Sequence, residues 1–372
     1  MSLRGNDPCP CGSGKEYKDC CLLKFSERAQ IPSDILRQII EHNRRVALLE
    51  HQFGQVRPTV SADFQGHKFV AVGNQLLWSK KWKTVPDFLI DYTKQLFGDW
   101  GNGELKKQLD ERHQIINWYV DMCLFQQRQI RQENGLYSAI PNGAFSAFIH
   151  LGYDLYTLQH NSIMQTSLVN RLKSKDQFQG ARYELFTAAT CIRAGYDIEY
   201  EDEGDVTKKH PEFIAKHKAT GQVITVEAKS RHREGVLGFH DNSTFVGQIK
   251  AGIGRLLSEA LQKAGEHPHV IFIDLNLPRD ERIVFERPIF TEIRDTIEFI
   301  CRNGDERDRF ALLVITNHPH YYGGEDEPDP AGDTMIVLPK NPLIVPDHPE
   351  SIMALYQAAE QYSNIPNFFT DH

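Results

Sequence analysis

Four cysteines near the amino terminus have the residue type and spacing of a metal site. Cys9 and Cys11 flank one proline, and after eight intervening residues come Cys20 and Cys21. Four thiolates around Zn²⁺ form a closed tetrahedral site, which is structural because no coordination position stays open for a substrate. So short a peptide buries too little apolar surface to hold a shape unaided. We expect zinc rather than two disulfides, because Met1–Asp7 is too short and polar for a signal peptide.

The segment from Pro8 to Cys21 resembles the SEC-C zinc-binding motif, which is named for the tail of the preprotein translocase ATPase. That family reads Cys-x-Cys-Gly-Ser-Gly-Lys, then Tyr-Lys, then Cys followed by Cys or His, and this chain has the same order. The resemblance implies that Cys9, Cys11, Cys20 and Cys21 bind a structural Zn²⁺. It also implies a module that docks a protein partner or lies close to nucleic acid, and it implies no activity.

Acidic and basic side chains on two predicted neighbouring strands form a second candidate site. Strand alternation places Glu227 and Lys229 on one face, beside Glu212 on the preceding arm. Two or three carboxylate oxygens suit Mg²⁺, and a neighbouring ammonium orients water and stabilises charge on a phosphate. We therefore expect Mg²⁺- or Mn²⁺-dependent hydrolysis of phosphodiesters. The alternative is an exposed cross-strand charge pair, which contributes little free energy.

Residues 177–275 resemble the restriction-endonuclease-like, PD-(D/E)xK nuclease superfamily, whose core runs helix, three antiparallel strands, helix, strand. Pro211-Glu212 matches the Pro-Asp position with Glu in place of Asp, and Glu227-Ala228-Lys229 matches the (D/E)xK element. The resemblance implies that Glu212 and Glu227 bind Mg²⁺ together with a carbonyl near Ala228. It implies that Lys229 positions the attacking water.

The same resemblance implies roles for two residues on the flanking helices. Glu184 corresponds to the first-helix acid of many members, which completes or tunes the metal shell. Gln248 corresponds to the additional Gln of the exonuclease-like and resolvase-like branches. The longer side chain of Glu212 departs from the family pattern, so Asp202 or Asp205 is an alternative source of the missing acid.

Aromatic and basic residues alternate in a further stretch made of Trp78, Lys80, Lys81, Trp82 and Lys83. Aromatic rings stack on bases and lysines contact phosphates in many single-strand binding surfaces. An edge hairpin protected from aggregation by its lysines explains the pattern nearly as well.

The charge of the chain is unevenly distributed. The net charge is −8, with 32 Lys and Arg against 29 Asp and Glu in residues 1–250, and 10 against 21 in residues 251–372. A polyanion is therefore expected to contact the first two-thirds of the chain. No apolar run approaches the roughly 18 residues of a membrane span, so we expect a cytoplasmic protein that does not contact the membrane.

The pattern of elements predicts a mixed α/β fold, α+β overall, in four parts. These are a zinc module at 1–27, a mainly helical accessory domain with a β-hairpin at 28–176, a nuclease-like α/β domain at 177–345, and a carboxyl-terminal helix and tail at 346–372. The predicted helices are 33–52, 85–97, 104–130, 145–175 as one helix or two, 179–194, 245–264 and 289–302. The predicted strands are the hairpin within 66–78, then 196–200, 211–218, 222–229, 269–275, 310–315 and 334–338.

The sequence thus leads to a metal-dependent nuclease, with DNA a somewhat better substrate than RNA. Restriction, repair and defence are the roles that the fold class often serves, by analogy alone. The rival hypothesis is a catalytically inactive, zinc-anchored adaptor that binds nucleic acid or a protein partner. A phosphohydrolase of small nucleotides is a third hypothesis.

Overall fold

A computed structural model describes residues 61–129, 135–136, 138–200, 210–232, 250–278, 287–302, 307–318 and 332–369, besides the single positions 6 and 16. The chain divides into two compact units, Met1–His51 and Gln52–His372. Almost all the described residues belong to the second unit. The four cysteines of the predicted zinc module and the predicted helix at 33–52 lie outside the described residues.

The described residues form nine strands and eight helices. The strands are β1 (Ser61–Phe64), β2 (His67–Val72), β3 (Gln75–Ser79), β4 (Tyr196–Tyr200), β5 (Phe213–His217), β6 (Val223–Ser230), β7 (His269–Asp274), β8 (Leu312–Asn317) and β9 (Asp333–Val337). The helices are α1 (Val85–Leu105), α2 (Gln114–Gln127), α3 (Gly143–Asn161), α4 (Thr166–Leu172), α5 (Phe178–Arg193), α6 (Gly254–Leu261), α7 (Pro288–Arg302) and α8 (Pro349–Glu360).

A mixed six-stranded sheet organises the second half of the chain. Its strand order is β4-β5-β6-β7-β8-β9. Strand β5 is antiparallel to both of its neighbours, β4 and β6. Strands β6, β7 and β8 run parallel, and β9 returns antiparallel beside β8. The order α5, three antiparallel strands, α6, β7 is the one expected from the sequence, and the predicted mixed α/β fold is confirmed.

The first half of the chain combines helices with a small antiparallel sheet of order β1-β2-β3. The predicted hairpin is confirmed, with Gly73 (φ 60°) at its turn. Strand β1 was not predicted. Its turn combines Gln65 (φ 49°) with Gly66 (φ 75°), and only the glycine is a residue type that commonly marks a left-handed position. The prediction of one helix over 104–130 was wrong at its start: α1 continues to Leu105, and His113 caps α2 by accepting from the amide of Ile115.

Two apolar cores lie on the two faces of the six-stranded sheet. The first contains α1, α2, α3, α5 and α8, and it includes residues of the predicted helical segment, such as Phe148, together with sheet residues such as Val226. The second lies on the opposite face, where Ile271 and Ile273 of β7 pack with Leu257 of α6 and with α7. The helical segment and the sheet therefore share the first core.

A buried ionic network crosses the first core. The carboxylate of Asp154 on α3 accepts from the guanidinium groups of Arg182 (2.8 Å) and Arg193 (3.2 Å), both on α5. The hydroxyl of Tyr362, which follows α8, also donates to Asp154 (3.0 Å). All four side chains are almost completely buried. One carboxylate thus joins α3, α5 and the carboxyl-terminal segment.

Candidate active site on the six-stranded sheet

Strand β6 presents different chemistry on its two faces. Ile224 and Val226 belong to the first core, as an alternating strand with one apolar face requires. Glu227 lies in register with Ile271 of β7, which belongs to the second core. Glu227 and its alternate neighbour Lys229 therefore point to the side of the sheet that carries α6.

The structure brings three of the predicted site residues together. Lys229 Nζ lies 2.7 Å from Glu227 Oε1. The amide of Glu212 donates to the carbonyl of Val226 (3.0 Å), so Glu212 extends the β5 ladder beside Glu227. Lys263 Nζ lies 2.8 Å from Glu227 Oε1 and 3.7 Å from Glu212 Oε1. These four side chains, two acids and two ammoniums, are called the carboxylate–lysine cluster below.

Glu227 is the electrostatic centre of this cluster. Its side chain is 0% exposed, and its Oε1 atom lies 2.7 Å from the Lys229 ammonium and 2.8 Å from the Lys263 ammonium. The two ammonium contacts are therefore close ion pairs. Burial raises the pKa of Glu227, and the nearby charge of Glu212 raises it further, against the opposing effect of Lys229. A buried carboxylate requires charged or hydrogen-bonding partners, and here two ammoniums supply them.

Lys263 was not anticipated from the sequence. It lies two residues beyond the end of α6, and its amide donates to the carbonyl of Ala260 (3.0 Å). Burial alone would lower the pKa of its ammonium, but the carboxylates of Glu227 and Glu212 outweigh burial and raise it. Spacing gave no signal, because Arg255, Glu259 and Lys263 at four-residue intervals look like an ordinary solvated helix face.

A polar contact between the sheet and α6 fixes the position of this lysine. His269 at the start of β7 shares a hydrogen bond of 2.9 Å with the hydroxyl of Thr225 on β6. Its other ring nitrogen lies 3.2 Å from the carbonyl of Ala260 on α6. Burial lowers the pKa of His269 to about 4, so the ring is neutral near pH 7. The end of α6 that carries Lys263 is therefore anchored beside the site.

Glu184 takes a different partner. Its two carboxylate oxygens receive hydrogen bonds of 2.6 and 2.8 Å from the guanidinium of Arg171 on α4. Its helix, α5, packs on the face of the sheet that carries the first core, whereas Glu227 points to the other face. The predicted role of Glu184 in a metal shell therefore has no direct geometric support from these contacts.

The remaining predicted site residues lie outside the described residues. These are Gln248, the alternative acids Asp202 and Asp205, and the cysteines Cys9, Cys11, Cys20 and Cys21. Within the described ranges, no group of three or more His, Cys, Asp or Glu side chains is placed to hold a metal ion. Any cation at the carboxylate–lysine cluster would therefore have Glu212 and Glu227 as its carboxylate ligands among these residues.

One short segment of the chain matches a known protein family. Residues 6–23 match the family model of the SEC-C motif, a motif associated with zinc binding. The uncharacterized protein YccF of Bacillus subtilis (strain 168) is 36% identical over 70 residues, which cover 18% of this chain and 18% of that protein. The chain thus matches less than a fifth of that relative's length. No solved structure matches.

Among the residues that the structure describes, no helix is both long and apolar enough to cross a membrane.

The raised pKa of Glu227 predicts a measurable pH dependence of stability. Because the folded state holds the proton more tightly than the unfolded chain, the contribution of Glu227 to stability falls as the pH rises above its ordinary value of 4.5. Each unit of pKa shift corresponds to about 1.4 kcal/mol. Urea unfolding between pH 4 and 7 should therefore show that Glu227→Gln gains stability relative to the wild type as pH rises.

The matched control for this experiment is Glu259→Gln. Glu259 is an exposed acid on α6 that pairs with Arg255, so its removal should leave the pH profile unchanged. Buried histidines such as His318, whose pKa is lowered to about 3, add a slope of opposite sign, which cancels in the comparison between variants. Parallel profiles for wild type and Glu227→Gln would contradict the electrostatic description of Glu227.

Proposed function

We propose that this protein is a divalent-metal-dependent nuclease of the PD-(D/E)xK type. One observation carries the proposal: Glu212, directly before β5, and the β6 residues Glu227 and Lys229 converge on one face of the sheet, where the carboxylate of Glu227 is buried. The order of helices and strands around them is that of the superfamily that their sequence spacing resembles.

Each residue of the cluster has a defined task in this proposal. Glu212 and Glu227 hold the cation, because oxygen atoms of carboxylates are the ligands that Mg²⁺ and Mn²⁺ prefer. When bound, the cation stabilises negative charge on the scissile phosphate. Lys229, held 2.7 Å from Glu227, orients the attacking water and donates to a phosphate oxygen.

The amino-terminal module has a separate, structural task in the proposal. We assign Cys9, Cys11, Cys20 and Cys21 as thiolate ligands of one Zn²⁺, in agreement with the SEC-C match over residues 6–23. Four thiolates leave no open coordination position. The module would therefore serve as a docking site for a protein partner or nucleic acid, while hydrolysis takes place at the carboxylate–lysine cluster.

A second candidate function rests on the charge of the same cluster. Two ammoniums balance two carboxylates there, so the group carries no net charge to attract a cation, and Glu184 is engaged by Arg171. These contacts favour a catalytically inactive relative that only binds a polymer or a protein. The two functions differ in whether any divalent ion supports turnover.

The direct test is a cleavage assay of the full chain. We expect Mg²⁺ or Mn²⁺ to support degradation of plasmid or single-stranded oligonucleotides, and EDTA to stop it. Lys229→Met should lower the rate by about a hundredfold or more, because one charge-stabilising donor contributes that much to comparable reactions. Oligonucleotides of DNA and RNA assayed in parallel would establish the preferred polymer.

The matched control is Lys216→Met, which removes an exposed lysine from β5 of the same sheet. It should cleave like the wild type. Full activity of Lys229→Met, with an unchanged melting temperature, would overturn the assignment of the site. Absence of turnover with every divalent ion would favour the binding-only alternative.

A further inference from the structure

The small sheet β1-β2-β3 exposes an aromatic and apolar face. Cross-strand partners lie on the same face of a sheet, and the register pairs Phe64 with His67, Phe69 with Trp78 and Ala71 with Leu76. These six residues are called the aromatic face below. Phe64 and Leu76 are 62% exposed and Trp78 is 60% exposed, so large rings and an aliphatic side chain face solvent together.

The two faces of this sheet differ in burial. Val70 and Val72, on the opposite face, are completely buried in the first core. The sheet is therefore anchored by that side, and the aromatic face is not needed to hold it in place. Contiguous exposed apolar surface of this kind marks interaction sites in soluble proteins.

The rings of the aromatic face form one contiguous group. Trp78 makes an edge contact with His67, with ring centroids 5.1 Å apart, and lies 6.5 Å from the ring of Phe69. Trp82, which alternates with lysines in the same stretch, is by contrast buried and donates to Asp91 (2.8 Å). Of the two tryptophans in this stretch, only Trp78 offers an open ring face to a ligand.

The charge around the aromatic face indicates the kind of ligand. Residues 61–83 contain four lysines and one acid, Asp63, in a chain whose net charge is −8. Lys68 pairs with Asp63 (2.6 Å) on the opposite face of the sheet. Lys80, Lys81 and Lys83 follow directly after β3, and all three are exposed. Open rings beside a local excess of positive charge complement a polyanion whose bases are unpaired.

We propose that the aromatic face binds single-stranded nucleic acid. Bases stack on Trp78 and Phe69, and the phosphates lie along Lys80 and Lys81. A duplex hides its base faces in its own stack, so it cannot use these rings. This inference deepens the proposed function by selecting single strands as substrate, but binding requires no cation and no cleavage, so the two proposals can fail independently.

The test measures binding by the full chain in EDTA, where no hydrolysis takes place. The probes are fluorescein-labelled oligothymidylate and oligouridylate of about 16 nucleotides and a duplex of equal length. We expect the single strands to bind at least about tenfold more tightly than the duplex, and Trp78→Ala to weaken single-strand binding about tenfold. Trp78→Phe should retain most of the affinity, because it keeps an aromatic ring.

Two further variants separate stacking from other uses of the same face. Leu76→Ala should weaken single-strand binding less than Trp78→Ala does, because an aliphatic side chain does not stack on a base. An interface with a protein partner would instead be weakened by either change. Lys80→Gln combined with Lys81→Gln should reduce the slope of log K against log salt by about 1.4. Light scattering should show the same mass for wild type and Trp78→Ala.

Three results would overturn the proposal. The first is equal affinity for single strand and duplex. The second is an affinity of Trp78→Ala for single-stranded oligonucleotide equal to that of the wild type. The third is a dimer that Trp78→Ala converts to a monomer, which would assign the aromatic face to a second copy of the chain. Because Trp78 is mostly exposed, Trp78→Ala should fold, and an unchanged melting temperature verifies this.

Discussion

Replacement of Asp154 by alanine is expected to lower the free energy of unfolding by about 3–5 kcal/mol. This carboxylate is 0% exposed and is shared by the guanidinium groups of Arg182 and Arg193. Its removal leaves two buried cations without their common counter-charge, which costs far more than the ion pairs contribute. Tyr362 would lose its acceptor in the same step. Urea unfolding followed by circular dichroism measures the change.

Two comparisons make this expectation specific to the buried network. Asp197→Ala, which removes an exposed acid 3.4 Å from Lys218, should change stability by less than about 1 kcal/mol. Combining Asp154→Leu with Arg182→Met and Arg193→Met should recover part of the loss, because it removes the buried cations together with their counter-charge. If Asp154→Ala lowered the free energy of unfolding no more than Asp197→Ala does, the buried network would not stabilise the fold.

The second large effect is expected for Lys263→Met, which should tighten Mn²⁺ binding about tenfold to a hundredfold. The Lys263 ammonium lies 2.8 Å from Glu227 and 3.7 Å from Glu212, between the two carboxylates that the proposed function assigns to the cation. It must leave before a divalent ion can bridge them. Breaking a charge-assisted contact costs about 1.5–3 kcal/mol, and 1.4 kcal/mol corresponds to a tenfold change in affinity.

Calorimetric titration of Mn²⁺ without nucleic acid tests this expectation separately from activity. Arg255→Met is the matched control, because it removes a positive charge from the exposed face of α6, where Arg255 pairs with Glu259. Its Mn²⁺ affinity should remain close to that of the wild type. An unchanged or weaker affinity in Lys263→Met would assign Lys263 to another task, such as contact with a phosphate.

Much of the sheet could be predicted because its signals are local. Alternation along β6 separates Glu227 and Lys229 from Val226 on the other face, and this pattern needs no knowledge of distant residues. The continuous apolar runs at β7 and β8 are equally clear signals of buried strands. Gly195, at φ 91°, lies two residues after the end of α5, where a left-handed glycine commonly terminates a helix.

The partners of the charged residues could not be predicted, because they depend on which distant elements meet. Nothing in the sequence indicates that Glu184 would be held by Arg171 on a neighbouring helix, or that Lys263 would reach across to β6. The burial of Asp154 could not be predicted from the sequence either, because it depends on distant partners. Its partners lie 28 and 39 positions away along the chain, and only the packing of α3 on α5 selects them.

The contacts of the carboxyl-terminal segment have a consequence for biosynthesis. Tyr362 reaches an acceptor 208 positions earlier, and the carbonyl of Asn367 accepts from the amide of Val85 at the start of α1. Before these residues leave the ribosome, α1 and α3 lack contacts that they make in the folded protein. Apolar surface of the first core therefore stays exposed until Tyr362 and Asn367 are available to pack, and such exposed surface is prone to aggregation during folding.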